Sequence, residues 1–266
     1  MRVLSLGAGV QSTTLALMAQ SGDLPPFDCA IFADTQSEPA AVYQHLDWLC
    51  GVLTYPIHRV GRGSLRQEIY DASAGKRGAW GRPPLFIVNP NGSPGMTRRQ
   101  CTGDYKIDPI MRKVRELAGV PPRSPGPRHP IVEQVIGISL DEAHRMRDAR
   151  FRWIKHVYPL VDLHMTRQAC LHWLSDRGYP TPPKSACTFC PFHSDAMWRE
   201  MKEHDPVSFA DAVAVDDALR AGHHFMLRGT PYLHRQRIPL KDVDLTDYRA
   251  LNGDLFGEDC EGVCGV

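Results

Sequence analysis

The sequence predicts an α/β fold, a twisted and mainly parallel sheet flanked by helices, with a cysteine-rich and mostly helical C-terminal part. Two observations predict the sheet. Short apolar runs alternate with helical patterns over about the first 60 residues, and turn or acidic segments follow the first two runs directly. Strands that alternate with helices become parallel neighbours joined by right-handed crossovers. Ligand-binding loops then gather at the carboxyl edge of the sheet.

Five segments build the first half of the predicted sheet. Apolar runs predict strands at residues 3–6, 29–33 and 55–60, and patterns of apolar residues with good helix formers predict helices at 10–19 and 39–53. This β-α-β-α-β series is the unit from which parallel sheets are built.

The remaining chain is less regular. Residues 76–99 are rich in Gly, Pro and Asn, and we expect a long loop there with one short strand at 85–88. The other predicted elements are a strand at 132–138 and helices at 107–117, 166–177, 195–204 and 207–220.

Composition and charge exclude several classes of protein. A chain of 266 residues is long enough for one sizeable α/β core with an appended segment. Its 31 basic and 30 acidic side chains give a net charge of +1, so a polyanion must be bound by a local patch. No apolar run approaches the roughly 20 residues that span a bilayer. Because the sequence starts directly with a predicted strand, we expect no signal peptide, no membrane partner and a cytoplasmic location.

A glycine-containing segment, residues 7–13 (GAGVQST), separates the first predicted strand from the first helix. A helix N-terminus carries N–H groups without intrahelical partners and a partial positive charge, and glycines let the backbone approach a phosphate. The segment lacks the Gly-Lys-Ser/Thr of a Walker A loop and the third glycine of a dinucleotide fingerprint. By itself, it fits either a phosphate loop or an ordinary tight turn.

Several segments resemble, in order, motifs of one family. Residues 7–12 resemble the Ser-Gly-Gly-x-Asp-Ser loop of the PP-loop adenine nucleotide alpha-hydrolase superfamily, with Gly7 at the first serine position and Gln11 at the aspartate position. Three further segments are similar to motifs of its phosphoadenosine phosphosulfate (PAPS) reductase-like branch: residues 33–38 (ADTQSE), 99–109 (RQCTGDYKIDP) and 137–145 (GISLDEAHR). The resemblance covers about residues 1–195, and the chain looks most like the ATP pyrophosphatases of DNA phosphorothioation.

The resemblance implies a fold, an activity and partners. It implies an adenine nucleotide alpha-hydrolase-like fold, with a PP-loop nucleotide-binding domain at 1–195 and a helical C-terminal extension at 196–266. The implied activity is that of an ATP pyrophosphatase that adenylates an acceptor for sulfur incorporation, as in DNA phosphorothioation or tRNA thiolation. A phosphoadenylyl or adenylyl sulfate reductase and a non-catalytic ATP-binding sensor or scaffold are the alternatives. The implied partners are ATP, Mg²⁺, a nucleic-acid acceptor and a cysteine desulfurase or other sulfur-donor protein.

The same resemblance assigns roles to individual residues. Ser12 donates to phosphate, Asp34 lies beside the nucleotide near ribose or metal, and these two join Lys106 and Arg145 as the expected catalytic residues. The expected nucleotide-binding residues are Ser5, Gly7, Ala8, Gly9, Val10, Gln11, Ser12, Thr13, Asp34, Thr35 and Gly137.

The eight cysteines suggest metal or redox chemistry, because a reducing compartment keeps thiols from forming a disulfide framework. The Cys187-x-x-Cys190 turn lets two thiolates converge on one metal centre. The candidate ligands are Cys101, Cys187, Cys190, Cys260 and Cys264. The spacing does not distinguish iron from zinc, and the resemblance favours a [4Fe-4S] cluster that uses one of the last two cysteines, with Zn²⁺ as the alternative. We expect Cys29, Cys50 and Cys170 to be buried core residues.

Basic residues accumulate between residues 145 and 155, with Phe151 and Trp153 interleaved. Alternation of this kind fits a solvated strand whose apolar residues face inward. It also fits a groove for a phosphodiester backbone. The candidate nucleic-acid contacts are Arg98, Arg99, Arg150 and Arg152.

Overall fold

A computed structural model of the chain describes residues 1–76, 78, 83–222 and 227–246. Its strands are β1 Arg2–Leu6, β2 Cys29–Ala33, β3 Ile57–Val60, β4 Phe86–Val88, β5 Pro94–Met96, β6 Val132–Ile136, β7 Ile154–Val157 and β8 Thr230–Tyr232. Its α-helices are α1 Val10–Ser21, α2 Ala40–Val52, α3 Leu65–Ser73, α4 Asp108–Leu117, α5 Pro159–Asp162, α6 Arg167–Asp176, α7 Asp195–His204 and α8 Pro206–Ala221. A π-helix spans Thr102–Ile107, and 3₁₀-helices span Leu140–Arg145 and Leu240–Asp242.

The main sheet has five parallel strands in the order β3-β2-β1-β6-β7. This arrangement confirms the predicted α/β fold with a mainly parallel sheet. The chain runs from β1 to β2 on one side and later places β6 on the other side of β1. A crevice therefore opens beyond the carboxyl ends of β1 and β6, the position where open parallel sheets bind ligands.

Helices cover both faces of this sheet, which explains why the strands read as apolar runs. Successive residues of β1 point to opposite faces: Val3 packs in a cluster with Val114 of α4, whereas Leu4 packs in a cluster with Leu15 of α1 and Leu174 of α6. All five residues of β2 are buried. The glycine-containing segment 7–13 and helix α1 thus lie against the centre of the sheet.

A second, antiparallel sheet has the order β5-β4-β8. The sequence predicted only β4 within an otherwise irregular loop, and that prediction was incomplete. Strand β8 could not be recognised as the partner of β4, because the paired residues Phe86 and Tyr232 lie far apart along the chain. Helix α3 was also missed, although Ser64 caps it by accepting a hydrogen bond from the Gln67 N–H. Its apolar face, Leu65 and Ile69, finds its partners in residues distant in sequence.

The C-terminal helices α7 and α8 were predicted nearly to their bounds, and they pack into a second core. That core contains Leu65, Tyr105 and Phe189 together with Trp198 and Leu219, so it includes residues from both sides of residue 195. The proposed domain division at that residue stays a prediction. Cys260 and Cys264 lie outside the described residues.

Asp216 of α8 attaches the last described segment to this core. Its carboxylate has no exposed surface, accepts hydrogen bonds from the backbone N–H groups of Leu233 at 2.9 Å and Leu240 at 2.8 Å, and pairs with Arg220. A buried carboxylate that accepts hydrogen bonds from several groups fixes the position of the chain segments to which those groups belong. None of the described helices is long and apolar enough to cross a membrane.

Candidate functional site

A cleft of about 330 Å³ lies at the carboxyl ends of β1 and β6. Its volume is within the range of small-molecule sites. The predicted site residues that line it are Ser5, Gly7, Gly9, Val10, Gln11, Ser12, Lys106, Gly137 and Arg145. Four predicted nucleotide-binding residues, Ala8, Thr13, Asp34 and Thr35, do not line it.

The loop between β1 and α1 turns sharply and opens the helix N-terminus onto the cleft. Ala8 is buried and has a left-handed backbone with φ of 57°, a conformation that costs an alanine about 1 kcal/mol. Gly9 forms the N-cap without a side-chain hydrogen bond, and the first turn has no acidic residue. The Thr13 N–H donates to the Gly9 carbonyl at 3.0 Å. The N–H groups of the three residues before Thr13 have no intrahelical acceptor and belong to residues that line the cleft.

The Ser12 side chain closes this loop. Its Oγ accepts a hydrogen bond from the Gly7 N–H at 3.1 Å and lies 3.3 Å from the Gly9 carbonyl, to which it donates. The Ser12 hydroxyl is thus engaged within the loop itself. The expected phosphate contact of Ser12 stays a prediction.

Gly137 explains how the loop and β6 fit together. A Cβ on this residue would lie 3.0 Å from the Ser12 N and 3.2 Å from the Ser12 Cα. The end of β6 thus runs against the first turn of α1 at a distance that only a glycine allows without movement. Gly137 shapes the cleft through its backbone, whether or not it contacts a ligand.

One wall of the cleft carries a polar network centred on Glu142. The Gln11 Nε2 donates to the Glu142 Oε2 at 3.3 Å and to the Ser139 Oγ at 3.4 Å. The Arg145 Nη1 pairs with the Glu142 Oε1, and within the described residues the buried Arg145 Nε has no hydrogen-bond partner. This arrangement holds a guanidinium at the cleft with donors that the network does not use.

Lys106, a second cation of the cleft lining, is also held by a buried carboxylate. The Lys106 Nζ lies 3.3 Å from the Glu38 Oε1, and the Glu38 side chain is 1% exposed. The Ser185 Oγ donates to the Glu38 Oε2 at 3.2 Å. Lys106 lies in the π-helix that precedes α4, and π-helices occur frequently at functional sites.

Two further cations, Arg167 and Lys184, lie in the exposed part of the lining. The Asp141 carboxylate accepts the Arg167 backbone N–H at 3.2 and 3.3 Å, at the N-terminus of α6. The charged residues that line the cleft are thus Lys106, Arg145, Arg167 and Lys184 against Asp141 and Glu142. This excess of cations, together with the α1 N-terminus, makes the cleft suited to an anion.

Predicted nucleotide-binding residues that do not line the cleft make hydrogen bonds with other parts of the protein. The Asp34 carboxylate accepts hydrogen bonds from the Gln36 N–H at 2.7 Å and the Tyr43 hydroxyl at 2.9 Å. Burial, together with the hydrogen bond to Asp34, raises the pKa of Tyr43. The Thr13 Oγ1 lies 3.0 Å from the His45 Nε2. Asp34 is therefore engaged in the turn that follows β2, and its role beside a nucleotide stays a prediction.

A second cavity of about 30 Å³, the thiol pocket, is lined by Cys101, Cys187 and Cys190 together with Thr35 and Lys106. The Thr35 Oγ1 lies 3.2 Å from the Cys187 Sγ, and the Cys190 N–H donates to the Cys187 carbonyl at 3.0 Å. As placed, no three His, Cys, Asp or Glu side chains of the described residues form a group that could hold a metal ion. The predicted ligand set stays a prediction, and its remaining members lie outside those residues.

Burial shifts the pKa values of two other cysteines and of His193. Burial raises the pKa of Cys29 and of Cys170 to about 11, as expected for core thiols. Cys50 is exposed on α2, so the prediction that it is a core residue was wrong. His193 follows Cys190 by three residues. Burial and the charge of Lys184 lower the pKa of His193 to about 3, which keeps its imidazole ring neutral at pH 7.

The four candidate nucleic-acid arginines do not line the cleft. Arg150 and Arg152 are exposed, in an irregular segment that becomes a strand only at Ile154. The two aromatic rings of that segment, Phe151 and Trp153, stack on each other with centroids 5.9 Å apart. The Arg115 guanidinium lies 5.2 Å from each ring centroid, so these rings are occupied by protein contacts.

Arg98 is exposed, whereas Arg99 lies over the Phe192 ring at 5.4 Å and lines the thiol pocket. The two pairs of arginines therefore lie in different surroundings. Their contact with nucleic acid stays a prediction.

Sequence reasoning missed five residues that shape the site: Glu38, Glu142, Arg167, Lys184 and Ser185. Glu38 and Glu142 lie within segments that carried the resemblance, so their position beside Asp34 and Gly137 was an available signal. No local signal marks Arg167, Lys184 or Ser185, since they reach the cleft only because α6 and the segment before Cys187 fold over the sheet edge.

Comparisons with known proteins leave the family open. No protein-family model matches the sequence, and no curated protein matches it. Among solved structures, the chain is similar to the phosphoadenylyl-sulfate (PAPS) reductase from Candida auris in its phosphate complex. The TM-score is 0.44 and the identity 13%, over 68% of this chain and 74% of that chain.

We expect Gly137→Ala to destabilise the protein by about 1–3 kcal/mol, because the added methyl group overlaps the backbone of the first α1 turn. Urea unfolding measures the change. The matched control is Gly7→Ala in the loop between β1 and α1, where the atom nearest to the new Cβ is the Ser12 Oγ at 3.7 Å. That variant should stay within about 1 kcal/mol of the parent. Equal losses in the two variants would contradict the role given to the close approach.

Proposed function

We propose that the chain is a PP-loop-type ATP pyrophosphatase that transfers an adenylyl group to an acceptor for sulfur incorporation. The observation that carries the proposal is the α1 N-terminus, which lacks a side-chain cap and opens into a cleft with an excess of cations. A polyphosphate satisfies the N–H groups and the cations together. An uncharged ligand would not balance the excess positive charge of the lining.

In the proposed reaction, the β- and γ-phosphates bind at the N–H groups of Val10, Gln11 and Ser12. An acceptor oxygen attacks the α-phosphorus, its bond to phosphorus forms, and the bond from that phosphorus to the bridging oxygen breaks. Pyrophosphate leaves with the electron pair of the broken bond. Lys106 and Arg145 are the counter-charges for the negative charge that develops on the bridging oxygen, and such prearranged groups supply a large part of the acceleration in enzymes.

Magnesium is proposed as the accompanying cation, bound mainly through the phosphates. Mg²⁺ usually keeps several waters and takes one or two carboxylates together with substrate phosphates. Asp141 and Glu142 are the carboxylates of the lining. Glu142 is bonded to Gln11 and pairs with the Arg145 cation, whereas Asp141 accepts the neutral backbone N–H of Arg167. We assign the protein contact of the metal to Asp141. Gln11, at the aspartate position of the family motif, positions Glu142 in this scheme.

The thiol pocket is proposed to serve the sulfur step. Cys101, Cys187 and Cys190 have the donor chemistry of a [4Fe-4S] or zinc site, for which one of Cys260 and Cys264 supplies the fourth thiolate. An iron–sulfur cluster at this place would supply electron transfer or a sulfur-binding iron. A cysteine desulfurase or a similar protein is the proposed sulfur donor, and a nucleic acid is the proposed acceptor.

The first test follows the fate of ATP. With α-labelled ATP, Mg²⁺ and candidate acceptors, we expect pyrophosphate and a labelled acceptor. Lys106→Met and Arg145→Met should each lower the rate about 10²–10³-fold, since each removes one counter-charge. Lys113→Met is the control, because Lys113 pairs with Glu116 and does not line the cleft. Sulfite formed from a sulfonucleotide and thioredoxin would indicate the reductase instead, and binding without any product would indicate a sensor.

A second test concerns the nucleic-acid acceptor. The double variant Arg150→Ala/Arg152→Ala should reduce the slope of log affinity against log salt by about two, because each lost phosphate contact contributes about 0.9. The control double variant Lys76→Ala/Lys241→Ala removes equal charge at two other exposed positions. Unchanged slopes in both variants would remove these arginines from the interface.

A third test identifies the metal. Protein prepared without oxygen should contain about four iron atoms and about four sulfides per chain. Cys187→Ala should lose most of this iron, whereas Cys50→Ala should keep it, because Cys50 lies exposed on α2, away from the thiol pocket. A colourless preparation with one zinc per chain would overturn the cluster in favour of the alternative.

A further inference from the structure

Lys106 is common to the cleft and the thiol pocket, since it lines both cavities. Its Nζ lies 3.3 Å from the Glu38 Oε1, and the carboxylate is almost completely buried. A buried carboxylate is costly unless charged or hydrogen-bonding groups stabilise it. The position of Lys106 therefore affects the shape of both cavities and the stability of the Glu38 charge at the same time.

Glu38 also holds the segment that carries two of the thiols. Its second oxygen accepts a hydrogen bond from the Ser185 Oγ at 3.2 Å. Ser185 begins the segment 185–190, the cysteine loop, which contains Cys187 and Cys190. A backbone hydrogen bond of 2.8 Å from Thr188 to Ser37 fixes the same loop next to Glu38. One carboxylate thus bonds a cation of the cleft with one oxygen and the cysteine loop with the other.

We propose that Glu38 is a positioning residue that couples nucleotide binding in the cleft to the accessibility of the thiol pocket. The inference rests on the proposed function, because it requires a nucleotide in the cleft. Phosphates bound at the α1 N-terminus attract the Lys106 ammonium away from Glu38. Since Lys106 also lines the thiol pocket, its withdrawal widens that pocket. The Glu38 carboxylate then lacks the Lys106 counter-charge, is less stable in its buried position, and holds the cysteine loop less firmly.

The coupling acts in both directions. A ligand shifts an equilibrium only by the difference in its interaction with the two states, which here differ in the position of Lys106. A soft metal ion that binds reversibly in the thiol pocket must then change the nucleotide affinity by the same factor. The thiols would thus react readily only while a nucleotide is bound.

The experiment measures the reactivity of individual thiols. Full-length protein is treated with iodoacetamide, with and without a saturating non-hydrolysable ATP analogue and Mg²⁺, and peptide mass spectrometry gives the rate at each cysteine. We expect Cys187 and Cys190 to react about fivefold faster or more with the analogue bound. The exposed Cys50 is the internal reference, and its rate should not change. For protein purified with bound metal, the rate of metal release to a chelator is followed instead.

Variants separate coupling from a merely structural role. Glu38→Gln keeps the side-chain size and removes the charge, so its thiols should react fast without the analogue and show no further increase. Lys184→Met is the matched control, because Lys184 lines the cleft but not the thiol pocket. It should bind the analogue more weakly and keep the full increase at saturation. Circular dichroism checks the fold, and Glu38→Asp, which keeps the charge, should restore part of the nucleotide effect.

Two outcomes are distinguishable. Calorimetry that shows saturation by the analogue, together with unchanged or slower thiol reactions, overturns the coupling and leaves the proposed function standing. Absence of nucleotide binding overturns the proposed function itself. A nucleotide effect that persists in Glu38→Gln also overturns the coupling, because Glu38 would then not transmit it.

Discussion

The close approach of β6 to the first turn of α1 is the constraint on which the site depends. A Cβ on Gly137 would lie only 3.0 Å from the Ser12 N, and the Ser12 hydroxyl in turn closes the loop at Gly7. This contact is possible because β1 lies between β2 and β6, so that the loop after β1 has an open crevice on one side. The α1 N-terminus is therefore presented to the cleft by backbone geometry, which side-chain substitutions elsewhere on the surface do not alter.

The charges of the cleft are arranged around two buried carboxylates. Glu142 holds Arg145 and accepts from Gln11, and Glu38 holds Lys106 and accepts from Ser185. Each pair keeps a flexible cation in a defined place while the cleft is empty, and the Arg145 side chain then loses less entropy when an anion binds. In the Glu142 pair, the Arg145 Nε has no hydrogen-bond partner among the described residues. The Glu38 pair differs because its cation borders the thiol pocket as well, and this shared position is the basis of the proposed coupling between the two cavities.

Much of the main sheet could be predicted from the sequence, and the second sheet could not. Buried parallel strands such as β2 read as continuous apolar runs, and α1 and α2 follow them with helical patterns. Strand β4 was predicted, but its partner β8 lies about 140 residues later, and its other partner β5 is only the three residues Pro94–Met96, so no local period marks either partner. Cys50 was misplaced for a related reason. A cysteine among apolar residues fits both the buried and the exposed side of a helix, and only the packing of α2 decides between them.

By itself the sequence determined the order of strands and helices, the glycine-containing turn before α1 and the polar residues that follow the strands, because these depend on local conformational preference and apolar periodicity. Only the tertiary structure decided that Asp34 turns to Tyr43, that Ser12 closes its own loop, and that Glu38 meets both Lys106 and Ser185. The Ser12 and Asp34 contacts join residues 3 and 9 positions apart along the chain, whereas the two Glu38 contacts join residues 68 and 147 positions apart. Their geometry follows from how helices pack across the sheet edge, which no local pattern encodes.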